Sequence, residues 1–376
     1  MDGAGSPIAT MTNKKPPKVL HLLHTISLVG GTPRKILDLA AHSELHHHIF
    51  CYSRPLTSAE FSQVRQVFES KGVPVHVPSA TGFFSVVKSL LQLIKAEKVD
   101  IVQGYFNRGY IYCALAVLAR PRVRAVAAFV GLAQELPAME RFAVAGALSR
   151  MRDYIFVTGS VRRSQESMYP RLAGRGRVIH NGAVARMHES SVARPNETGC
   201  YFVSVSGLNS HKNINILVKA AAILRGRNLP FVMDIVGDGP LRAELAESIQ
   251  QKGLADCVRL LGYQADVGSY LAAADVYLHP AHREGFGISV VEAMLAELPC
   301  ILANAGGLTE LARHDASALF VEPHDPAKWA DTMERLADDQ ELRTRIGRAG
   351  KAHAERSFSA AKFGALHDEF YRDVLS

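Results

Sequence analysis

The chain has 376 residues, of which 48% are hydrophobic and 21% are charged, so it is long enough for two folded domains and too apolar to be disordered. Its longest apolar runs, 111–119 and 125–133, are shorter than the ~18 residues that a membrane-spanning helix needs. The five cysteines are scattered without a Cys-x-x-Cys spacing, which favours reduced thiols in a cytoplasmic protein over disulfides or a zinc site.

The net charge of +7 is unevenly distributed along the chain. Residues 1–190 hold 24 Lys and Arg against 12 Asp and Glu, a net +12, whereas residues 191–376 carry a net −5. A change of sign between halves indicates two domains with different surroundings. No nucleic-acid-binding motif accompanies the basic half, so we do not expect nucleic acid as a partner, and an anionic membrane surface is the better candidate. The residues that suggest such a surface are Arg120, Arg122, Arg124, Arg162, Arg163, Arg171, Arg175 and Arg177.

The first half begins with a polar segment, 1–17, which lacks the apolar core of a signal peptide and predicts a flexible tail. Short β-branched runs then alternate with amphipathic stretches, a pattern typical of an α/β fold with a parallel sheet. Strands are predicted at 19–24, 48–52, 75–77, 101–103, 124–129, 154–157 and 178–180, and helices at 33–41, 83–96 and 140–150.

A turn-rich stretch, 186–199, predicts a linker, after which the alternation starts again. Strands are predicted at 201–206, 231–236, 258–261, 276–279, 300–303 and 318–321, and a last helix at 360–374. The pattern predicts two doubly wound, Rossmann-like domains over residues 1–190 and 191–359. The carboxyl ends of their parallel sheets should face each other across a cleft, which is where such folds bind ligands.

The most informative segment is 282–294, which follows the strand predicted at 276–279 and opens a helix. Gly285 and Gly287 allow a sharp turn and a close approach of the backbone to a ligand. The amides of residues 286–289 then lie at the positive end of the helix, where they can bind a diphosphate. Glu292, about one turn inside the helix, can accept hydrogen bonds from ribose hydroxyls, and Glu284 can reach a sugar or brace the loop.

This stretch resembles the Glu-x7-Glu signature of the retaining glycosyltransferases of family 4, which have the GT-B fold. The resemblance extends to Gly30-Gly31, to 178–182, to 235–241, to 261–263 and to 306–310. It implies that the final helix, 360–376, packs back on the first domain. It also implies a set of donor-binding residues on both walls of the cleft: Glu292, Phe286, Gly287, Ile288, Ser289, Gly30, Gly31, Gly207, Asn209, Gly237 and Tyr263.

The resemblance assigns the catalytic positions to Glu284 and Lys212. In this family an Arg and a Lys neutralise the leaving diphosphate; Lys212 matches the Lys, but Gly207 occupies the position of the Arg. Arg283 is one residue that could supply the missing charge. A second departure is Val130, which stands where the family often has a His beside the transferred sugar.

The sequence predicts no metal and no cofactor, with the nucleotide-sugar as a substrate. No Asp-x-Asp motif occurs, so a metal-dependent transfer is unsupported. His42, His46, His47 and His48 are close in sequence, but they extend from a helix end into a strand and are not expected to converge on a metal ion.

Together these features predict a retaining glycosyltransferase that moves a sugar from a nucleotide-diphosphate sugar to an acceptor hydroxyl. The acceptor is expected to be a glycan or lipid-linked molecule, in bacterial lipopolysaccharide or other cell-surface polysaccharide assembly at the inner face of the cytoplasmic membrane. Two alternatives stay open. Gly207 and Val130 are compatible with a catalytically silent nucleotide-sugar-binding subunit, and the acceptor could be a soluble small molecule. A sugar-nucleotide epimerase and a dinucleotide dehydrogenase are disfavoured.

Overall fold

A computed structural model of the protein describes residues 15–26, 31–53, 58–184, 192 and 199–376. Gly30, most of the predicted tail and most of the predicted linker lie outside the described residues. The predicted domain boundary after residue 190 also lies outside them and stays a prediction. No helix among the described residues is long and apolar enough to cross a bilayer.

The first sheet has seven parallel strands in the order β3-β2-β1-β4-β5-β6-β7. They are β1 (Lys18–Leu23), β2 (His46–Cys51), β3 (Val75–His76), β4 (Ile101–Tyr105), β5 (Arg124–Phe129), β6 (Asp153–Phe156) and β7 (Arg177–Val178). The central strands are buried along nearly their whole length, because helices cover both faces of the sheet. This accounts for the continuous apolar runs that the sequence shows at β4 and β5.

Across the described ranges, six α-helices connect these strands. They are α1 (Gly31–Ala40), α2 (Ser58–Ser70), α3 (Phe83–Glu97), α4 (Phe106–Ala119), α5 (Ala138–Leu148) and α6 (Gly159–Met168). Because every connection in a parallel sheet returns to the same edge, all six helices begin at the carboxyl edge of the sheet. The first turns of α1, α4 and α6 therefore lie on the side of the molecule that faces the second sheet.

The second sheet has six parallel strands in the order β10-β9-β8-β11-β12-β13. They are β8 (Cys200–Val205), β9 (Phe231–Val236), β10 (Val258–Gly262), β11 (Val276–His279), β12 (Cys300–Ala303) and β13 (Leu319–Val321). The helices are α7 (Asn215–Gly226), α8 (Arg242–Gln251), α9 (Val267–Ala273), α10 (Ile288–Leu295), α11 (Pro326–Asp338), α12 (Gln340–Phe358) and α13 (Ala360–Leu375). The predicted fold of two doubly wound α/β domains is confirmed.

Strand β2 begins at His46, two residues before the predicted start, because its histidines find partners inside the fold. His47 Nδ1 lies 2.9 Å from His21 Nε2 on β1, and His48 Nδ1 lies 3.2 Å from His76 Nε2 on β3. Burial is the main cause that lowers the pKa of His47 to about 3 and that of His48 to about 4, so both rings stay neutral. These histidines are polar core residues of the first sheet.

The last helix, α13, packs on the first sheet although it follows the second. The chain turns at Ser359, where the amide of Ala183 donates to the carbonyl of Phe358 at 2.9 Å. The Tyr371 hydroxyl then donates to Gln103 Oε1 on β4 at 2.8 Å, and the Asp368 carboxylate accepts the amide of Glu44 at 2.7 Å. These bonds hold the C-terminal helix against the domain that contains β1–β7.

Replacing Tyr371 by Phe tests this anchoring. The change leaves the buried amide oxygen of Gln103 without its donor, so we expect the free energy of unfolding to fall by about 1–3 kcal/mol. Glu369→Ala is the matched control on the same helix, because it removes only an exposed ion pair to Arg177 and should change stability by about 1 kcal/mol or less. Urea unfolding of both variants measures the difference, and equal effects would contradict the anchoring role.

Candidate functional site

A cavity of about 1100 Å³ lies between the two sheets, where their carboxyl edges face each other. Its first wall comes from α1 and the ends of β4 and β5, and its second wall comes from the ends of β8, β9 and β10 with the start of α10. Most of the residues predicted to bind a donor meet here. Asn209 is the exception among the described ones, since it does not line the cavity.

The loop before α10 requires glycine at two positions for different reasons. Gly287 has φ +93°, a left-handed conformation that L side chains rarely adopt. Gly285 is fixed by a close approach instead, because a Cβ there would lie 2.5 Å from the carbonyl oxygen of Val130 in the first domain. The loop therefore touches the end of β5 across the cleft.

The first turn of α10 presents unpaired backbone donors to this cavity. The amides of Val290 and Val291 already bond to the carbonyl of Gly287. Within the described residues no hydrogen bond engages the four preceding amides, those of Phe286, Gly287, Ile288 and Ser289. Since α10 also carries the positive end of its dipole here, the geometry is that of an anion-binding helix start. The Ser289 hydroxyl donates to the carbonyl of Val205, so this residue faces the cavity with its amide.

Glu284 has both carboxylate oxygens engaged by protein groups. Oε2 accepts from Lys212 Nζ at 2.5 Å and lies 3.0 Å from His279 Nε2, while Oε1 accepts the amide of Gly285 at 3.1 Å. Burial alone raises the pKa of Glu284, but the hydrogen bond from His279 and the charge of Lys212 outweigh it and hold the pKa well below its usual range. Glu284 is therefore ionised and braces the loop, while its expected catalytic role stays a prediction.

The tautomer of His279 follows from this arrangement. Burial lowers the pKa of His279, so the ring is neutral and carries one proton. An ionised carboxylate only accepts hydrogen bonds, so the proton must be on Nε2, which faces Glu284. The Nδ1 atom then carries no proton and lies 3.2 Å from the hydroxyl oxygen of Tyr277, which donates its own proton to Ser289 Oγ at 2.8 Å. The sequence analysis gave His279 no role, because no motif in the sequence around this buried strand residue indicates that its side chain contacts Glu284.

Glu292 differs from Glu284 in having no partner. It lines the cavity from α10, and in the part of the chain that the structure describes no hydrogen bond or ion pair engages its carboxylate. Burial raises the pKa of Glu292 above its usual value, and the charges of Arg34 and Lys35 on α1 oppose that shift. A half-buried carboxylate left open toward a cleft can accept the hydroxyl groups of a ligand.

Gly207, His211 and Lys212 line the second wall beside Glu284. Lys212 ends a short 3-10 helix, and its ammonium group retains two donors beyond the one that Glu284 accepts. Gly207 lines the cavity, and a Cβ there would meet only the Nδ2 atom of Asn209 at 3.0 Å and the carbonyl of Asp238 at 3.8 Å. The position of Gly207 therefore has room for a side chain.

Gly237 and Tyr263 also line the cavity, on the ends of β9 and β10. Gly237 has φ +138°, and a Cβ would lie 2.0 Å from the carbonyl oxygen of Ser206, so only glycine fits. Its amide donates to the carbonyl of Gly262 at 2.8 Å. Gly237 thus serves mainly to join two strand ends, while Tyr263 remains half exposed beside the cavity.

The wall provided by α1 contains residues that the sequence analysis missed. Gly31 begins the helix, and a Cβ there would lie 3.4 Å from Ile288 Cδ1 at the start of α10. Arg34 and Lys35 follow one turn later and line the cavity. They lie outside every motif, and only the contact between the two helix starts brings them opposite Glu292.

Arg283, which was considered as a replacement for the Arg missing at position 207, lies away from the cavity. Its guanidinium donates to the carbonyl of Ala133 in the first domain at 2.7 Å, and Arg283 is not among the residues that line the cavity. It connects the two domains outside the cleft.

A second connection between the domains is made by Glu310. Its carboxylate accepts the amides of Gly159 at 2.7 Å and Ser160 at 2.6 Å, so a residue of the second domain satisfies the first amides of α6. Beside it, the Thr158 hydroxyl donates to the carbonyl of Gly285 at 2.9 Å. The loop before α10 is thus held from the first domain as well as from within.

No group of three or more His, Cys, Asp or Glu side chains among the described residues could hold a metal ion. The predicted independence from metals and cofactors is not tested by this geometry and stays a prediction.

A family model described as glycosyl transferases group 1 matches residues 187–353. Residues 187–353 are therefore similar to a group 1 glycosyltransferase domain. The D-inositol 3-phosphate glycosyltransferase of Paenarthrobacter aurescens is 34% identical over 171 residues, which cover 44% of this chain and 42% of that protein. The amylovoran biosynthesis glycosyltransferase AmsK of Erwinia amylovora is 29% identical over 165 residues, 42% of this chain and 40% of that protein. The matched segments span less than half the length of these relatives.

Similarity to solved structures extends over the whole fold. HepE of Anabaena, in complex with UDP, has a TM-score of 0.79 at 21% identity, with 95% of this chain and 100% of that chain covered. Sucrose-phosphate synthase of Thermosynechococcus elongatus has a TM-score of 0.76 at 18% identity, with 96% and 99% covered. The chain has the GT-B fold, as predicted. The retaining outcome stays a prediction.

Glu284→Gln tests the electrostatic role of the buried carboxylate. The pKa of Glu284 lies below its usual value of 4.5 in the folded protein, so ionised Glu284 stabilises the fold above that pH, and this stabilisation decreases as the pH falls. At pH 7 we expect the variant to be destabilised by about 1–3 kcal/mol, since Lys212 and His279 lose a charged acceptor.

The measurement is urea unfolding of both proteins from pH 7 down to about pH 3.5, below the unfolded-state pKa. The difference in unfolding free energy should shrink below pH 4.5. A difference that stays constant or grows toward acid pH would show that Glu284 does not owe its stabilising effect to its charge.

Proposed function

We propose that this protein is a glycosyltransferase that uses a nucleotide-diphosphate sugar as its donor. The observation that carries the proposal is the start of α10, where four amides and the carboxylate of Glu292 face one cavity and have no hydrogen-bond partner in the part of the chain that the structure describes. The amides suit a diphosphate, and the carboxylate one turn away suits the hydroxyls of the attached ribose. The group 1 domain match and the UDP-bound structural neighbours support the same assignment.

The reaction breaks the bond between the anomeric carbon and the diphosphate oxygen and forms a bond from that carbon to the acceptor oxygen. The proton of the acceptor hydroxyl passes to the departing phosphate on the same face, which gives retention. Glu284 is a poor nucleophile in this arrangement, because Lys212, His279 and Gly285 occupy its oxygens. Its role is to hold Lys212 and the loop before α10, while the remaining donors of Lys212 stabilise the leaving diphosphate.

UDP is the first nucleotide to test, since HepE is described in complex with UDP and with UDP-glucose. Tyr263 and the end of β10 would lie beside the base. Nothing in the cavity selects one base, so GDP-sugars belong in the same screen.

The acceptor should enter from the first domain, and we propose a lipid-linked glycan presented at the inner face of the cytoplasmic membrane. The arginines suggested for that surface do not form one face. Arg120, Arg122 and Arg124 lie at the amino edge of the sheet, while Arg162 lies in the first turn of α6 at the opposite edge. Arg162 is paired with Glu166 at 2.8 Å, and Arg177 is paired with both Glu369 and Asp373.

Exposed apolar side chains indicate a better surface. Phe84 at the start of α3 is 85% exposed, and Met139 and Phe142 at the start of α5 are 85% and 81% exposed. Both helix starts lie at the carboxyl edge, on the same side as the cleft. They are joined through α4, where Asn107 donates to Glu140 at 2.9 Å, and the neighbouring Phe106 lines the cavity.

This apolar surface has exposed basic residues within it, Lys88 one turn after Phe84 and Arg141 beside Phe142. Aromatic side chains enter the headgroup region of a bilayer, and flanking basic residues are attracted to anionic lipid. A membrane bound here would hold a lipid-linked acceptor next to the rim of the cavity. A polysaccharide role is also in keeping with the relative named for amylovoran biosynthesis.

The rival is a catalytically silent subunit that binds the donor only, in view of Gly207 and Val130. Both assignments predict donor binding, so turnover separates them. Release of UDP or GDP from its sugar in the presence of lipid-linked acceptors supports the enzyme, and tight donor binding without any release supports the silent subunit.

Glu292→Gln tests the donor site and has two effects of opposite sign. Burial raises the pKa of Glu292, so its charged form costs stability above the usual value of 4.5, and the neutral variant should have a higher melting temperature without ligand. Its affinity for UDP- or GDP-sugars should fall about tenfold or more, because the charged acceptor of the ribose hydroxyls is lost.

A thermal-shift titration measures both effects, since a ligand at ~100 times its dissociation constant adds about 2.7 kcal/mol of stability. Glu247→Gln, on the exposed side of α8, is the matched control and should alter neither value. Unchanged donor affinity in Glu292→Gln would rule out the proposed ribose contact.

A double variant, Phe84→Ser with Phe142→Ser, tests the membrane surface. Each exposed aromatic contributes about 1.5–3 kcal/mol when it leaves water, so we expect at least tenfold weaker co-sedimentation with anionic vesicles at low salt. Leu118→Ser is the control, because Leu118 is also exposed but lies near the end of α4 at the opposite edge of the sheet. If wild type fails to bind anionic vesicles, a soluble acceptor becomes the better hypothesis.

A further inference from the structure

The positive charges around the start of α10 are mostly neutralised within the protein. Lys212 lies 2.5 Å from Glu284, and Lys35 lies 3.2 Å from Asp38 and also donates to the carbonyl of Gly182. Arg34 is different, since among the described residues no hydrogen bond or ion pair within 4 Å engages its guanidinium. Yet Arg34 lines the cavity.

The helix geometry fixes where this free charge lies. Gly31 and Ile288 touch across the cleft at the starts of α1 and α10, with 3.4 Å between the Cβ position of Gly31 and Ile288 Cδ1. Arg34 is three residues after Gly31, and Glu292 is four residues after Ile288, so each lies on the same helix face as the residue that makes the contact. The two side chains therefore face the same space, into which the free amides of α10 also point.

Lys71 is a further cation on the cavity wall, but it follows the end of α2. Helices of a parallel sheet end at the amino edge, away from the start of α10. The guanidinium of Arg283 donates to the backbone carbonyl of Ala133. Neither residue competes with Arg34 for an anion held by the amides of Phe286 to Ser289.

We infer that Arg34, on α1 of the first domain, is the cation that binds the diphosphate of the donor. It takes the role expected of an Arg in the second domain, where Gly207 stands instead. This inference rests on the proposed function. A guanidinium presents a planar pair of donors that matches two phosphate oxygens, and it stays charged at every physiological pH. The diphosphate is then held between α10 and Lys212 on one wall and Arg34 on the other.

The experiment compares Arg34→Gln with wild type by calorimetric titration of UDP, UMP and uridine, with the guanosine series used if GDP binds instead. Because the contact is to the diphosphate, affinity for the nucleoside diphosphate should fall about tenfold or more, while affinity for the nucleoside stays within about twofold. Nucleoside binding also reports that the variant is folded. Arg65→Gln is the control, since Arg65 is exposed on α2 and paired with Glu69.

A second variant moves the charge to the other wall. In the Arg34→Gln background, Gly207→Arg should restore part of the lost UDP affinity, because position 207 lines the cavity and its Cβ would meet only the movable amide end of Asn209 at 3.0 Å. If Gly207→Arg restores no UDP affinity, the result contradicts the inference that Arg34 replaces an Arg at position 207.

Three other results would overturn the assignment of Arg34. Unchanged UDP affinity excludes the contact. An equal loss for UDP and uridine indicates a contact to the nucleoside, and a rise in the acceptor KM alone places Arg34 at the acceptor. If wild type binds neither UDP nor GDP, the proposed function fails first, so the two failures are distinguishable.

Discussion

The carboxylate of Glu284 is the constraint on which the rest of the cleft depends. The two carboxylate oxygens hold Lys212, His279 and the amide of Gly285. The backbone carbonyl of Glu284 also accepts the amide of Gly307 at 2.8 Å. One residue therefore fixes the positions of three segments from different parts of the second sheet. Because its bonds leave the following amides free, the same arrangement that stabilises the loop also creates the anion-binding start of α10.

The second constraint is the close contact of the two domains at Gly285. The carbonyl of Val130 approaches so closely that no side chain fits, and the hydroxyl of Thr158 binds the carbonyl of the same glycine. A loop that is fixed on both sides needs little reorganisation when a ligand arrives, which favours binding and catalysis alike. The apolar Val130 thus matters through its backbone, a role that its side chain does not reveal.

How well this site can be predicted from the sequence depends on how far apart along the chain the interacting residues lie. The α/β alternation, four strands with their bounds (β5, β9, β11 and β12) and the positions of Glu284, Gly287 and Glu292 follow from local patterns that the sequence displays. The early start of β2 could not be predicted, because His47 is tolerated in a strand only when His21 lies beside it. Arg34 and His279 were missed for the same reason. Their significance lies in a partner that is distant along the chain.

The cleft carries electrostatic costs that a structural role does not explain. Burial raises the pKa of Glu292 although no described group binds its carboxylate, and four amides at the start of α10 have no acceptor among the same described residues. Arg34 faces the same space, and no ion pair within 4 Å engages it in the described ranges. Among the described residues the guanidinium of Arg34, the carboxylate of Glu292 and the amides at the start of α10 form no hydrogen bond or ion pair with one another, but together they are complementary to a nucleoside diphosphate. Natural sequences keep such unfavourable arrangements mainly where a ligand relieves them, so these electrostatic costs favour a site selected for binding over a surface that only connects two domains.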